Sequence, residues 1–438
     1  MANGARQIEA ARTLMAHLAQ VLEADLWVRL WNGERLPLGS NVTSELGLTI
    51  CSPAAITRLI RRPRLNTIIE LLTAGDIDIE GGTLIDIAHK RGQMRTKGLF
   101  RRIDKVLAAK ALWPFMFGQA AVSDTLAHQG ERKTSVEQGR DDKALVQFHS
   151  DISNEFYALF LDPEMLYTCA YFPNWSATLE EAQTAKLDMI CRKLRLQPGE
   201  RMLDIGSGWG GLICYAAQHY GVKAHGVTLA QEQFDFANAR IARLGLQDSV
   251  TVELKDYRQV DEWGAYDKIS SIGMFEHVGI DNHDNYFMQM HRLLRPRGLY
   301  LHHAIARPAK RDMKHFRRQR AEYKALTTYI FPGGELDTVG MSINGLERHG
   351  FEVHDVEGWR EHYQRTTQLW TERLYANRER AAAEIGWPKT RLWLLYLAGC
   401  SLAFERSAVG IFQTVASKKT KGPSGLPPTR ARLYTQDM

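Results

Sequence analysis

The sequence predicts an α/β protein: a doubly wound parallel sheet with a smaller mixed α+β domain in front of it. Three observations predict this. From about residue 148 onward, strand-like apolar runs (RMLDIGS, KAHGVTL, VTVEL, DKISSIG, GLYLHHAIA) alternate with helical spacing. Alternating βα units close into parallel sheets with helices on both faces. The first of these runs empties into a glycine-rich turn at Gly206, Gly208, Gly210 and Gly211. At 438 residues the chain also exceeds one compact domain, so two is the natural number.

The elements follow in order. Residues 1–125 read as the N-terminal domain, opening with a helix over 5–22. LWVRLWNG then alternates like a strand and turns at Asn32-Gly33. LTICSPAAITRLIRRP, from Leu48, has helical spacing, and GDIDIEGGTLIDIAHKRG reads as a hairpin running into a helix. Apolar positions recur at helical intervals over 83–111, interleaved with Lys90, Arg91, Arg95, Lys97, Arg101, Arg102 and Lys105. By itself that pattern is equally a solvated helix face. Residues 126–145, around HQGERKTSVEQGRDDK, are polar and aperiodic and read as a linker, leaving 146–438 for the second domain. A helix over 282–294 is closed by Arg-Pro-Arg-Gly before the fifth strand, and FEVHDVEGW and VGIFQTVAS supply two later strands. LWLLYLAGCSLAF at 392–404 falls short of the roughly 20 residues that span a bilayer and reads as a buried core helix.

Composition narrows the function classes. The formal net charge of +6 suits an anionic partner, either nucleic acid or acidic lipid headgroups, and no nucleic-acid motif accompanies it. The five cysteines are scattered without CxxC spacing, which argues for a reducing compartment and against a disulfide frame or a metal site. No secretory signal is evident at the N-terminus, so a cytoplasmic protein is expected, touching membrane from one side only.

The glycine turn follows a strand containing Asp204. Glycines there let a ligand approach the backbone, and the next helix offers free N–H groups. A dinucleotide site would want an acid about 20 residues further on. The second strand instead ends in Thr228-Leu229, and Asp204 fits the first motif of S-adenosylmethionine (SAM) methyltransferases. Glu276 and His277 lie just past the fourth strand, where open sheets bind ligands, and Cys169 lies between Tyr167 and Tyr171. Taken singly, a cysteine among aromatics is ordinary core, and a glutamate at a strand end is more often a cap than a catalyst.

The set as a whole resembles the cyclopropane-fatty-acyl-phospholipid synthases and the related mycolic acid cyclopropane synthases. The resemblance covers about residues 145–417, through SNEFYALFLDPEMLYTCAYF, AKLDMICRKL, LDIGSGWGGL, GVTLAQEQ, DYR, SIGMFEHVG, HHAI, YIFPGG and HYQRTTQLW in order. The N-terminal domain also looks like the one that precedes the catalytic domain in the bacterial phospholipid enzymes. Two departures are Ser207, where those enzymes commonly have Cys, and Ser150, where Tyr is usual.

The resemblance implies a class I SAM-methyltransferase fold, Rossmann-like, and a transferase of EC 2.1.1 type. It implies methylene transfer from SAM to the cis double bond of phospholipid acyl chains, with bound bicarbonate as base. The matching positions are Cys169, Glu276, His303, Tyr363 and the backbone of Ile305. For the cofactor they are Tyr167 and Thr168 at the methionine end, Asp204, Gly206, Gly208 and Gly210 in the turn, Thr228, Leu229 and Gln233 near the ribose, and Asp256, Tyr257 and Arg258 at the adenine edge. Phe275, Tyr329, Phe331 and Trp370 are candidate walls of a lipid channel, with core packing as the equal alternative. Expected partners are unsaturated membrane phospholipid, an anionic membrane surface met through 58–64, 90–105 and 307–324 on the inner face of the membrane, and a second copy in a homodimer. The rival activities are methylene- or methyl-branching of the same chains, small-molecule N-methylation, and a non-catalytic lipid- or nucleic-acid-binding role.

Overall fold

The computed structural model describes residues 2–93, 99–121, 126, 152–318, 321–330 and 333–434. The chain divides into two compact units, each described by itself. The first gathers Met1–Ala127, Arg320–Ala325 and Trp370–Leu402; the second holds His128–Gln319, Leu326–Leu369 and Ala403–Met438. The division differs from the contiguous boundaries drawn from sequence. Trp370–Leu402, expected in the catalytic domain, joins the N-terminal residues. The reason is apolar packing: Ala398 and Leu402 cluster with Ile85, and Arg391 pairs with Asp78 at 3.4 Å.

The first unit begins with α1 (Ala2–Leu22), β1 (Trp27–Arg29), β2 (Arg35–Pro37), β3 (Gly47–Ile50), α2 (Pro53–Arg61), α3 (Leu65–Ala74) and β4 (Ile77–Glu80). It continues with α4 (Leu84–Gln93), α5 (Leu99–Arg102) and α6 (Lys105–Met116). Its sheet runs β2-β1-β3-β4. β1 and β2 form the expected hairpin, with Gly33 at φ 85° in the turn. Two readings are corrected. GDIDIEGG is a single strand pairing with β3, not a hairpin of its own. The helix expected over 83–111 is α4, α5 and the start of α6. A new helix starts at Lys105 because the Asp104 carboxylate accepts from the N–H groups of Val106 and Leu107, at 2.9 and 3.0 Å.

In the second unit the βα alternation is observed: α7 (Asn154–Ala158), α8 (Leu179–Leu194), β5 (Arg201–Ile205), α9 (Gly211–Tyr220), β6 (Lys223–Thr228), α10 (Gln231–Leu244), β7 (Val250–Leu254), β8 (Tyr266–Ile272), α11 (His283–Leu293) and β9 (Leu294–Ala306). Further along the chain come α12 (Met313–Arg317), α13 (Ala321–Tyr329), α14 (Val339–Arg348), β10 (Phe351–Gly358), α15 (Arg360–Ala376), α16 (Arg378–Ile385), α17 (Trp387–Glu405), β11 (Gly410–Lys418) and α18 (Ala431–Tyr434); of these, α16, most of α17, the end of α15 and the start of α13 belong to the first unit. The sheet order is β10-β11-β9-β8-β5-β6-β7. β5 to β9 are parallel to their neighbours in that block. The two late strands are present, but the sheet is mixed rather than wholly parallel. β10 lies one place away from β9, and β11 fills the gap between them, antiparallel to both. The apolar run at 392–404 lies in α17, and among the described residues no helix is long and apolar enough to cross a membrane.

Strand alternation builds the two cores. Met202 and Leu301 enter the cluster with Ile190, Ile213 and Ile241. Their neighbours Leu203 and Tyr300 enter the cluster with Phe275, Phe287 and Leu346 on the other face. The sheet is thus buried on both faces, and polar chemistry is left to the carboxyl ends of the strands.

Gly226 of β6 lies beneath the glycine turn: a Cβ there would come 2.6 Å from Ser207 Oγ. Gly226→Ala should therefore destabilise the chain by about 1–3 kcal/mol, as overpacking does. Urea unfolding of the variant checks this; stability within about 0.5 kcal/mol of wild type would contradict it.

Candidate active site

Asp204 and Thr228 lie at or near the carboxyl ends of β5 and β6, and Asp256 follows β7. Glu276 follows β8, and His303 and Ile305 lie near the end of β9. This is the end at which open α/β sheets bind ligands.

The glycine turn has the conformation its sequence implies. Gly206 sits at φ 79° and Gly208 at φ 54°, and a Cβ on Gly208 would meet nothing within 4 Å. The backbone is therefore open on that side. The N–H groups of Gly206 and Ser207 both reach the Val227 carbonyl, at 3.0 Å. Asp204 is buried and accepts from Ser270 Oγ at 2.6 Å; burial raises its carboxyl to about 6. It braces the turn from beneath. Thr228 and Gln233 bond each other at 2.8 Å, and Leu229 beside them is half-buried. Asp256 accepts from the Arg258 backbone and guanidinium, both at 2.9 Å, closing the turn that contains Tyr257. Tyr167 packs edge-on against Tyr157, which in turn meets Trp209 of the glycine turn at 5.0 Å. Trp209 was not anticipated.

The five residues matched to catalytic positions lie close together in the fold. Cys169 is fully buried in an apolar cluster with Trp359, Phe404 and Ile411, and Ile305 and Tyr363 pack against it. The Ile305 N–H donates to Glu276 Oε1 at 2.7 Å. His303, two residues earlier on β9, lies edge-on to Trp359 with centroids 5.0 Å apart. Its Nδ1 is 3.2 Å from Gln413 Nε2. With that amide N–H donating, the neutral imidazole carries its proton on Nε2. His302 differs: its nitrogens meet Tyr300 and Ser342, and it packs against Phe275 in the opposite core. The pair thus divides into one core histidine and one histidine at the site.

Burial sets the charge states. It lifts the Glu276 carboxyl to about 7, against the Ile305 hydrogen bond, which lowers it. It drives His303 well below its ordinary value, helped by the charges of Lys186 and Lys193. It raises the Cys169 thiol well above its usual range, so near neutral pH Cys169 is a thiol and not a thiolate nucleophile.

A small oxyanion fits this donor set. Glu276 Oε2, His303 Nε2 and Trp359 Nε1 are buried with no partner among the described residues. A protonated carboxyl and two ring N–H groups are donors such an ion would take. Of the Ile305 backbone, matched to the ion by resemblance, the N–H is engaged by Glu276.

Lys186 was also missed. It is buried on α8, donates to Thr168 Oγ1 at 2.7 Å, and sits close enough to Cys169 and Asp204 to feel both. The available signal was its place on the apolar face of α8, four residues before Ile190. Of the proposed channel walls, Phe275 packs in the core against His283 and Phe287. Tyr329 and Trp370 are buried, Trp370 within the first unit. Phe331 lies outside the described residues.

Glu276 also links stability to pH. Its folded value, about 7, lies above the ordinary 4.5. Its contribution is fully present below pH 4.5 and is lost as pH rises to about 7, on the order of 3 kcal/mol in all. Glu276→Gln should remove this slope, so the variant gains on wild type across that window. Urea unfolding of both proteins between pH 4.5 and 8 checks it; parallel profiles would refute the assignment.

Comparison with known proteins places the chain in a family. The family profile for mycolic acid cyclopropane synthetase matches residues 137–414. A probable fatty acid methyltransferase of Pseudomonas putida is 34% identical over 417 residues, covering 95% of this chain and 98% of that protein. The cyclopropane-fatty-acyl-phospholipid synthase of Escherichia coli K12 is 37% identical over 295 residues, covering 67% and 73%. The crystal structure of mycolic acid cyclopropane synthase CmaA1 complexed with SAH and CTAB matches with a TM-score of 0.60 at 35% identity, over 64% of this chain and 99% of its own. The fold is that of the class I SAM-dependent methyltransferases. The chain belongs to the mycolic acid cyclopropane synthetase family, as a SAM-dependent enzyme.

Proposed function

We propose that this enzyme builds a cyclopropane ring on cis-unsaturated acyl chains of membrane phospholipids, with bicarbonate as the base. The observation that carries the reading is that Glu276 Oε2 and His303 Nε2 are both buried without a partner among the described residues, beside a dry aromatic cluster. SAM supplies an electrophilic methyl carbon on sulfur. The alkene π pair bonds to that carbon as the C–S bond breaks, which leaves positive charge on the neighbouring acyl carbon. Losing a proton from the new methyl lets its C–H pair close the ring. Bicarbonate, when bound, supplies the acceptor for that proton.

This chain's residues arrange the rest. Gly206 and Gly208 give the cofactor backbone access, and Thr228, Gln233, Asp256 and Arg258 lie along the same strand ends. Tyr363 and Phe404, with ring centroids 4.7 Å apart, and Tyr171 and Trp359, at 4.9 Å, offer π faces to passing positive charge. Cys169, Trp359, Phe404 and Ile411 exclude water that would trap the cation. Glu276 and His303 would hold the oxyanion, with Glu276 positioning it through its proton.

Methylene branching starts from the same cation, reached by a hydride shift before proton loss. A retained alkene with one added CH₂ would identify it; a ring adds the same mass and loses the alkene. The test is incubation with methyl-labelled SAM and vesicles carrying cis-unsaturated chains, read by mass and NMR. Glu276→Gln should keep SAM affinity and lose turnover by about 10²-fold or more, with Cys169→Ser milder. Equal turnover in Glu276→Gln and wild type would overturn the assigned role.

A further inference from the structure

The helix α6 is apolar on both of its faces. One face is accounted for: Phe115 is fully buried, and Leu112 packs into the same core beside α1 and α2. The other is open, with Val106 64%, Trp113 61%, Met116 43% and, just beyond the helix, Phe117 76% exposed. Spacings of three, four and seven residues align them on one side. Trp113 and Phe117 meet edge-on at 5.5 Å, so the two rings form one surface.

The rim of that surface has one sign. Lys105 and Lys110 are exposed on α6, as are Arg61, Arg62 and Arg64 at and beyond the end of α2. The Arg61 guanidinium donates to the Met116 and Gly118 carbonyls at 3.0 and 2.9 Å, which places the end of α2 against the aromatic end of α6. Asp104 is the only acid within residues 53–69 and 99–121. Other cations expected to face lipid are engaged elsewhere: Lys90 with Asp25, Arg58 with Glu70, and Arg317 with Asp281. Arg95 and Lys97 lie outside the described residues.

We infer that the Val106–Trp113–Met116–Phe117 face of α6 docks on an anionic lipid surface, its rings entering the headgroup boundary while the cationic rim pairs with lipid phosphates. This rests on the reading that the substrate is a membrane acyl chain. Charge decides between occupants. In a two-fold dimer the face would meet itself and oppose cation to cation. An anionic bilayer complements the rim, and interfacial Trp and Phe suit its boundary layer.

The test uses the full chain with vesicles of phosphatidylcholine containing 30 mol% phosphatidylglycerol, and of phosphatidylcholine alone. Wild type should sediment with the anionic vesicles. Trp113→Ser/Phe117→Ser should weaken that binding by about tenfold or more at both low and high salt. Lys105→Glu/Lys110→Glu should weaken it by at least about tenfold at low salt, since each charge near the surface counts for roughly fivefold. The loss should shrink at high salt. Cofactor binding should be unchanged in both variants, which checks folding. Unchanged vesicle binding in Trp113→Ser/Phe117→Ser would overturn the proposal. So would loss of a wild-type dimer in that variant with vesicle binding intact, which would give the face to a second copy. Turnover on detergent-dispersed lipid separates the two claims: activity there without vesicle binding sinks the docking face alone, and docking without turnover on any lipid sinks the substrate reading alone.

Discussion

The site depends on one hydrogen bond: the Ile305 N–H to the buried Glu276 carboxylate oxygen at 2.7 Å. It ties the end of β9 to the turn that follows β8, between strands already in parallel register at Ile272 and His303. Because the bond satisfies only one oxygen, the carboxyl is held dry with its second oxygen unpartnered among the described residues. A buried polar atom without a partner is costly, and a bound ligand with a matching group would offset that cost. The cost also explains the raised carboxyl: it avoids charge by keeping its proton.

The same dryness governs its neighbours. Cys169 stays a thiol and His303 stays neutral chiefly through loss of water around the charged form, with nearby lysine charges adding to the effect on His303. The buried ammonium of Lys186 lies nearby without turning Cys169 into a nucleophile, because desolvation outweighs its field. What results is a set of buried hydrogen-bonding groups beside aromatic side chains, the basis of the proposed anion and carbocation chemistry.

Much of this was legible in sequence. Period-two apolar runs separated by helical ones announced the parallel block, and Gly206 and Gly208 announced a turn that only residues tolerating positive φ can make. Glu276 could be placed because it directly follows a strand that ends at the ligand face. The illegible parts share a cause: they depend on what an element packs against. The pattern of β11 does not say that it runs antiparallel between β9 and β10. Leu402 reads as core, but nothing in its spacing says that Ile85 of the first unit is its partner. Lys186 falls on the apolar face of α8 by spacing, but only packing shows that its ammonium is buried there with Thr168 as partner. The exposed side of α6 was hidden for the opposite reason, since Trp113 and Phe117 look like core residues in any sequence reading.

The central claim is that burial keeps Glu276 protonated well above the ordinary carboxyl range, up to about pH 7, so that it can orient an oxyanion. Infrared difference spectroscopy between wild type and Glu276→Gln across pH 4.5–8 measures this directly. The account predicts a protonated carboxyl band in the wild type that fades with a midpoint near 7. A band already lost by pH 5 would mean that Glu276 is an ordinary ionised carboxylate and would contradict the account.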